Sequence, residues 1–258
     1  MLSKRHADIL RILDAQGTVT VAALARALDV SQETIRRDLR PLADSGALLR
    51  MHGAVSLAGP MGEAPFRRRM RENAAAKQAI ARAFAATVRN GDVLMLDTGT
   101  TTSFVARALA GRKRLTVITN STDVARTLAV TGDNRVYLAG GALRGESGAV
   151  LGRAALEFVA GYQAQVAVIS AGAVDADGVM DFDPEEADVA RALLARAERR
   201  VLVTDATKFG RRGLVLVAGL DKLDHLICDA PPPPAIASAL GAAGAAVTCT
   251  SAAEAGEI

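Results

Sequence analysis

Apolar residues follow two rhythms along this chain. At the front they recur every three or four positions, Leu2, His6, Ile9, Leu10 and Leu13, which predicts an amphipathic helix that stops near Gly17. After Thr20, a residue suited to an N-cap, Val21, Leu24, Ala25 and Leu28 predict a second, shorter helix. Asp29-Val30 makes the turn, and Ser31 caps a third helix. There Ile35, Leu39 and Leu42 fall within about 60° of one another when each residue advances about 100°. Gln32, Glu33, Arg36, Arg37 and Arg40 take the opposite arc. From Ala47 to Ser56 the residues alternate around Gly53, as in a two-stranded wing.

The second rhythm begins after a break. Residues 58–73 hold Gly59-Pro60, Gly62, Pro65 and the run Arg67-Arg68-Arg69-Met70-Arg71, a composition that interrupts regular structure and marks a linker. An Ala-rich helix from Asn73 to Val88 follows. Short apolar runs then come at 92–96, 115–119, 136–139, 166–170, 201–204 and 225–228. Helical patterns lie between most of them, at 104–109, 124–131, 154–160 and 185–197. Alternating strand and helix predicts a mainly parallel sheet with helices on both faces. The expected organisation is a small three-helix unit with a wing at 1–57, a linker at 58–73 and an α/β unit at 74–253.

Composition adds where the charge lies. Of 31 Lys and Arg and 28 Asp and Glu, residues 1–72 hold 12 and 8, leaving 19 against 20 for the rest. The positive excess is at the front. Aromatic residues make up 3% with no Trp, which disfavours base-stacking platforms and leaves duplex DNA as the nucleic-acid partner. Cys228 and Cys249 lack a CxxC or His companion, so no metal site or disulfide framework is indicated, and both read as buried reduced thiols. No apolar run reaches the roughly 18 residues of a membrane span, and Met1–Arg5 lacks the apolar stretch of a leader, so a cytoplasmic protein with no membrane association is expected.

The third helix has the chemistry of a recognition helix. Arg36, Arg37 and Arg40 can pair with guanine or phosphate, and Ser31, Gln32 and Thr34 lie at the end that reaches bases or backbone. Arg50 and His52 in the wing are placed for phosphate. The bland alternative is a three-helix module with a solvated Arg face. The run at 67–71 either meets flanking phosphates, stays solvated or pairs with acids of the larger unit.

In a parallel sheet, ligands bind beyond the carboxyl ends of the strands. Those positions read Asp97-Thr98-Gly99-Thr100-Thr101-Thr102, Asn120-Ser121-Thr122, Gly140-Gly141-Ala142-Leu143-Arg144, Ala171-Gly172-Ala173 and Asp205-Ala206-Thr207-Lys208-Phe209-Gly210. A Gly among hydroxyl residues at a helix start offers N–H groups, hydroxyls and the positive helix end to an anion. There is no Gly-Lys-Ser/Thr and no G-x-G-x-x-G after the first strand, so neither a nucleotide P-loop nor a dinucleotide cofactor is expected. Asp97 and Asn120 suit sugar or polyol hydroxyls, and Lys208 suits a phosphate or carbonyl. Gly140-Gly141 is equally a tight turn, and Glu185-Glu186 equally a pair of helix caps.

Val30-Ser31-Gln32-Glu33-Thr34-Ile35-Arg36-Arg37-Asp38-Leu39, with Arg50-Met51-His52-Gly53-Ala54 after it, resembles the signature of the DeoR/GlpR family of sugar-metabolism regulators. Phe66 to Arg69, Lys77 to Ala81, Leu96 to Thr101, Thr119 to Ser121, Ala139 to Gly141, Glu186-Ala187 and Asp205 to Gly210 carry the resemblance across nearly the whole chain. It departs at Gly53, where the family usually has two glycines, at Thr207 in place of Ser, and at Ala190 in place of a basic residue.

The resemblance implies a winged helix-turn-helix and a sensor domain related to sugar-phosphate isomerases. It places Asp97, Thr98, Gly99, Thr100, Thr101, Asn120, Gly140, Gly141, Glu186 and Lys208 around an effector, with Thr102 beside them. The expected protein is a repressor without enzymatic activity. It binds double-stranded operator DNA as a homodimer or homotetramer and is relieved by a phosphorylated sugar or polyol. Glycerol 3-phosphate leads, on the likeness of Met180–Asp183 and Thr207–Arg211 to glycerol-responsive members, with fructose 1-phosphate behind it. The alternative is a sugar-phosphate isomerase with an accessory DNA-binding unit, using Asp97, Glu186 or Lys208 as acid/base groups.

Overall fold

The computed structural model describes residues 4–16, 19–44, 48–51, 54–57 and 63–250. The chain divides into two compact units, residues 1–68 and 69–258.

In the first unit, α1 (Lys4–Gln16), β1 (Val19–Thr20), α2 (Val21–Ala27), α3 (Gln32–Asp44), β2 (Leu48–Met51) and β3 (Ala54–Leu57) follow in order. Strands β2 and β3 pair antiparallel as the wing, and β1 adds to the far side of β3. Thr20 and Ser31 begin their helices as expected: Thr20 Oγ1 accepts the Ala23 N–H and Ser31 Oγ the Thr34 N–H, both at 3.1 Å. Ile9, Leu13, Leu24, Ile35, Leu39 and Leu42 are buried together with Val19, Leu48 and Val55. A group the sequence pattern does not single out completes the packing. Asp38 is buried in α3, and the Arg5 guanidinium of α1 bonds both its oxygens. That hydrogen bond holds the Asp38 carboxyl below the usual carboxylate range. With one side of α3 fixed by its apolar residues and by Asp38, Gln32, Glu33, Arg36, Arg37 and Arg40 are left exposed.

A short helix, α4 (Phe66–Arg69), lies within the expected linker. The second unit then runs α5 (Ala74–Ala86), β4 (Val93–Leu96), α6 (Thr100–Ala108), β5 (Thr116–Thr119), α7 (Thr122–Ala129), β6 (Arg135–Leu138), β7 (Leu143–Arg144), β8 (Ala149–Val150) and α8 (Arg153–Ala160). It continues through β9 (Ala164–Ile169), β10 (Ala173–Asp175), β11 (Gly178–Asp181), α9 (Pro184–Ala195), β12 (Ala197–Val203), β13 (Val215–Ala218), β14 (His225–Cys228), α10 (Pro234–Ala242) and β15 (Ala246–Cys249).

Seven strands form one sheet in the order β15-β14-β12-β9-β4-β5-β6, and every pairing is parallel. Residues alternate between its faces. Leu94, Leu96, Val117, Val166, Val168, Val201 and Val203 pack with α5, α6 and α7. Met95, Ile118, Ala167, Ile169, Leu202 and Leu226 pack with α8, α9 and α10. The chain enters at β4, moves outward through β5 and β6, and returns to β9 on the other flank of β4. The connections therefore diverge between β4 and β9, the topological switch point where open α/β sheets bind ligands.

Several elements differ from expectation. Strand β12 begins at Ala197, where the pattern predicts a helix to that residue and a strand only from Val201; its polar start, Ala-Glu-Arg-Arg, reads as helix surface. Strand β15, helix α10 and the small antiparallel sheet β10-β11-β13 carry no strong periodicity. In that small sheet Gly178 has φ +150°, and a Cβ there would meet the Ala218 carbonyl oxygen at 2.3 Å. Of the two cysteines expected to be buried, Cys228 is, but Cys249 is exposed because its strand is the sheet edge.

Candidate functional site

Two places carry chemistry. The first is the exposed arc of α3. Ser31, Gln32, Arg36, Arg37 and Arg40 are exposed and Thr34 half-buried, with the Ser31 and Thr34 hydroxyls 2.9 Å apart at the helix start. Arg36 leans on Glu33 at 3.3 Å, an exposed pair one turn back that water and salt weaken. Arg50 lies in β2, across from Val55 of β3. Its side chain, His52 and the single-glycine wing tip at Gly53 lie outside the described residues.

The second place is the carboxyl edge of the sheet at the switch point. After β4 the chain turns through Asp97-Thr98-Gly99 into α6. Asp97 is buried, and its Oδ1 accepts the Thr98 N–H at 2.7 Å. Gly99 is the N-cap and has no side chain to satisfy the first N–H groups of α6, so these face outward from the helix start with its positive dipole end. Thr100, Thr101 and Thr102 are all buried. From the neighbouring strand, Ser170 presses on Gly99 so closely that a Cβ there would lie 2.2 Å from the serine oxygen.

Beyond β5, Asn120 is completely buried with its amide beside Asp97, where it favours the ionised carboxylate, although neither amide atom makes a hydrogen bond of full geometry. Thr98 Oγ1 and Ser103 Oγ are likewise buried without one. Buried polar atoms are rarely left unmade because each costs about 1–3 kcal/mol. Such atoms beside an uncapped helix start are open to ordered water or to a polar ligand.

A ring of charge faces this cluster. Arg144, on β7, reaches across to the start of α9, donating to Asp183 at 2.5 Å, Glu185 at 3.1 Å and Glu186 at 3.2 Å. Asp183 is also the N-cap of α9, accepting from Glu185 and Glu186 N–H groups at 2.9 and 3.3 Å. Burial pushes the Glu186 carboxyl up to about 7, with Asp181 adding to the rise. Burial raises Asp97 well above its ordinary value too, with Glu186 contributing. Two carboxyl groups that resist ionisation can donate as well as accept hydrogen bonds, which suits hydroxyl groups.

Of the residues expected here, Asp97 to Thr102, Asn120 and Glu186 therefore belong to one neighbourhood. Gly140 and Gly141 are exposed and open the hairpin that brings Arg144 across. Lys208 is half-buried in the turn after β12, near Lys77. Arg144, Asp181, Asp183, Ser103 and Ser170 are functional candidates the sequence reading did not select. Among the described residues no cluster of three or more His, Cys, Asp or Glu could hold a metal, and no helix is long and apolar enough to cross a membrane.

Residues 5–60 match the profile of the DeoR-like helix-turn-helix domain, and residues 72–230 match that of the DeoR C terminal sensor domain. The chain belongs to the DeoR family. Its relatives include the glycerol-3-phosphate regulon repressor of Escherichia coli (strain K12), 35% identical over 92% of this chain and 95% of that one. The HTH-type transcriptional repressor CsqR of the same organism is 35% identical over 92% and 91%. A ribose 5 phosphate isomerase A from Neisseria gonorrhoeae overlaps 53% of each chain at 18% identity with a TM-score of 0.39, a likeness too remote to argue from. Like these repressors, this DeoR-family member is a DNA-binding transcriptional repressor.

The family motifs acquire structural reasons. Lys77 is buried in α5 and donates to the carbonyls of Arg69 and Glu72, the latter at 2.8 Å, closing the turn that precedes the sensor unit. Asn73 donates to Asp205 at 3.1 Å, tying that turn to the Lys208 segment.

Glu186 gives the sensor unit a pH dependence of definite sign. Its carboxyl is raised from 4.5 to about 7, so the folded state favours the protonated form. That contribution is complete below about 4.5 and is lost as pH rises through 7. The unfolding midpoint of the wild-type sensor transition is therefore expected to fall between pH 5 and pH 8. Glu186→Gln should flatten that slope and melt above the wild type at pH 8; parallel melting curves for the two proteins would show that Glu186 ionises normally.

Proposed function

We propose that this repressor controls a carbohydrate or polyol catabolic operon and leaves its operator when a phosphorylated sugar or polyol binds where β4 and β9 part. The observation that carries the reading is the uncapped start of α6 beside the buried pair Asp97 and Asn120, with the Thr98 hydroxyl buried next to them and without a protein partner. Thr100, Thr101 and Thr102 offer N–H groups and hydroxyls to the phosphate. Asp97, Asn120 and Glu186 take the hydroxyl end, and Lys208 and Arg144 supply positive charge at the rim. Arg36, Arg37 and Arg40 read the operator from α3, with Ser31, Gln32 and Thr34 at its start and Arg50 and His52 on the flanking backbone.

Residues 1–57 serve DNA and 74–253 the effector, joined by 58–73. The protein acts as a homodimer or homotetramer, because successive half-sites need paired recognition helices. Glycerol 3-phosphate is the leading effector, supported by the kinship with the glycerol-3-phosphate regulon repressor of Escherichia coli and by Met180–Asp183 and Thr207–Arg211. It acts without turnover. To release DNA, the effector must bind the released arrangement more tightly than the bound one.

The test is a panel of phosphorylated polyols and sugars, read by thermal shift and by operator binding. One phosphate at 100 times its dissociation constant should stabilise the protein by about 2.7 kcal/mol and weaken operator binding. A panel in which no phosphate shifts either signal would overturn the effector reading. Conversion of an aldose phosphate to a ketose phosphate would favour the isomerase instead.

A further inference from the structure

The two cysteines of the sequence meet at the carboxyl end of the last two strands. Cys228 closes β14 and Cys249 closes β15, and the strands run parallel with these residues in register. In-register neighbours point to the same face of a sheet, and neighbouring strands lie about 4.8 Å apart. Disulfides bridge Cα separations of roughly 4.4–6.8 Å. The two sulfurs are already 3.6 Å apart.

Their surroundings differ in a way that orders the chemistry. Cys249 is exposed on the edge strand, whereas Cys228 is fully buried against the α8, α9 and α10 face of the sheet. Burial pushes the Cys228 thiol upward, and Cys249 beside it adds to the rise. Only the thiolate is a good nucleophile, so the exposed residue reacts first.

We propose that Cys228 and Cys249 form a modification site, a dithiol that closes to an intrachain disulfide by exchange with a small-molecule disulfide of the glutathione class. The Cys249 thiolate, its proton released to solvent, attacks one sulfur of the small disulfide. A bond forms between Cys249 Sγ and that sulfur, the old S–S bond breaks, and the departing thiolate takes up a proton. Cys228 then loses its proton and attacks Cys249 Sγ, and the second small thiolate leaves and is protonated. Two protein thiols are oxidised, and one small disulfide is reduced to two thiols. Contact between the sulfurs makes the second step intramolecular, which offsets the poor reactivity of a buried thiol. The bond staples β15, whose four residues are all exposed and which is held in the sheet through β14 alone, across a segment that includes α10.

The experiment uses the full reduced chain, treated with oxidised glutathione, then unfolded and alkylated so that any remaining thiol is marked. Wild type is expected to lose both thiols, carry no glutathione, and yield a peptide linking Cys228 to Cys249. Cys228→Ala should stop at a glutathione adduct on Cys249, and Cys249→Ser should stay unmodified with Cys228 free. The cross-linked wild type should melt several degrees higher than the reduced protein, and dithiothreitol should reverse the change. A stable adduct on wild-type Cys249 with Cys228 still alkylatable, a link between two chains, or no reaction at all would each overturn the proposal. Should Cys228→Ala fail to fold, wild type and the surface variant Cys249→Ser still decide it.

Discussion

Replacing Arg36 and Arg37 together by alanine is expected to weaken specific operator binding by at least an order of magnitude while leaving the fold and effector binding intact. Both side chains are exposed on α3, opposite the buried Ile35, Leu39 and Leu42, so their removal opens no cavity. The Glu33 partner of Arg36 is lost with little effect because that pair is exposed. On DNA the arithmetic is different. A bidentate arginine–guanine pair is worth about 1–3 kcal/mol of discrimination, so two such losses weaken specific binding from about 30-fold to more than a thousandfold. The salt dependence separates reading from positioning: an arginine that meets phosphate lowers the slope of log affinity against log salt by about one when removed.

Fluorescence anisotropy on an operator fragment at several salt concentrations measures both quantities. Unchanged affinity in the double variant would remove α3 from the interface. Asp38→Ala serves as the contrasting control. It takes no base contact away but frees Arg5 and lets α3 shift, so it should lower operator affinity together with the melting temperature of the front unit.

The parts legible in the sequence are those whose physics is local. Five of the seven large-sheet strands, β4, β5, β9, β12 and β14, show as apolar runs because a parallel strand covered on both faces needs apolar side chains in succession, and the edge strand β6 shows through Val136, Tyr137 and Leu138 although it is largely exposed. Strand β15, Ala-Val-Thr-Cys, is exposed at the sheet edge and leaves no such trace. The strand-end loops were readable because topology fixes where ligands bind. Their partners were not: Arg144 meets Asp183, Glu185 and Glu186 from 39 to 42 residues away, and Asn73 meets Asp205 from 132. Nothing in the spacing of either segment announces such a pairing. Gly140-Gly141 shows the converse. Two glycines at a strand end look like a ligand cradle, whereas here they shape the hairpin that delivers Arg144. At Gly141, φ is +143° and a Cβ would meet Val150 Cγ1 at 3.1 Å.

Gly99→Ala should produce a repressor that holds its operator and answers the effector only at much higher concentration. The position has φ +149°, a region that residues with a Cβ rarely occupy, and such strain costs on the order of 1–3 kcal/mol. The new methyl would also lie 2.2 Å from Ser170 Oγ and 3.4 Å from Ser170 Cβ. The hydroxyl can rotate away, but Ser170 follows directly on β9, and β9 is paired on both sides by β4 and β12, so its Cβ cannot easily retreat. The loop must therefore tilt, carrying the first N–H groups of α6 off the anion position. If the strain falls on the bound state, effector affinity drops by about 5- to 150-fold, and operator release needs correspondingly more ligand. Ser170→Ala in the same chain removes the oxygen but not the φ penalty, so the double variant should recover part of the lost affinity. Calorimetric titration with the phosphate found in the panel, together with operator release, measures both. Wild-type release by Gly99→Ala would place the anion away from this loop, and failure of Ser170→Ala to recover any affinity would mean that backbone strain alone, without the contact to β9, sets the loss.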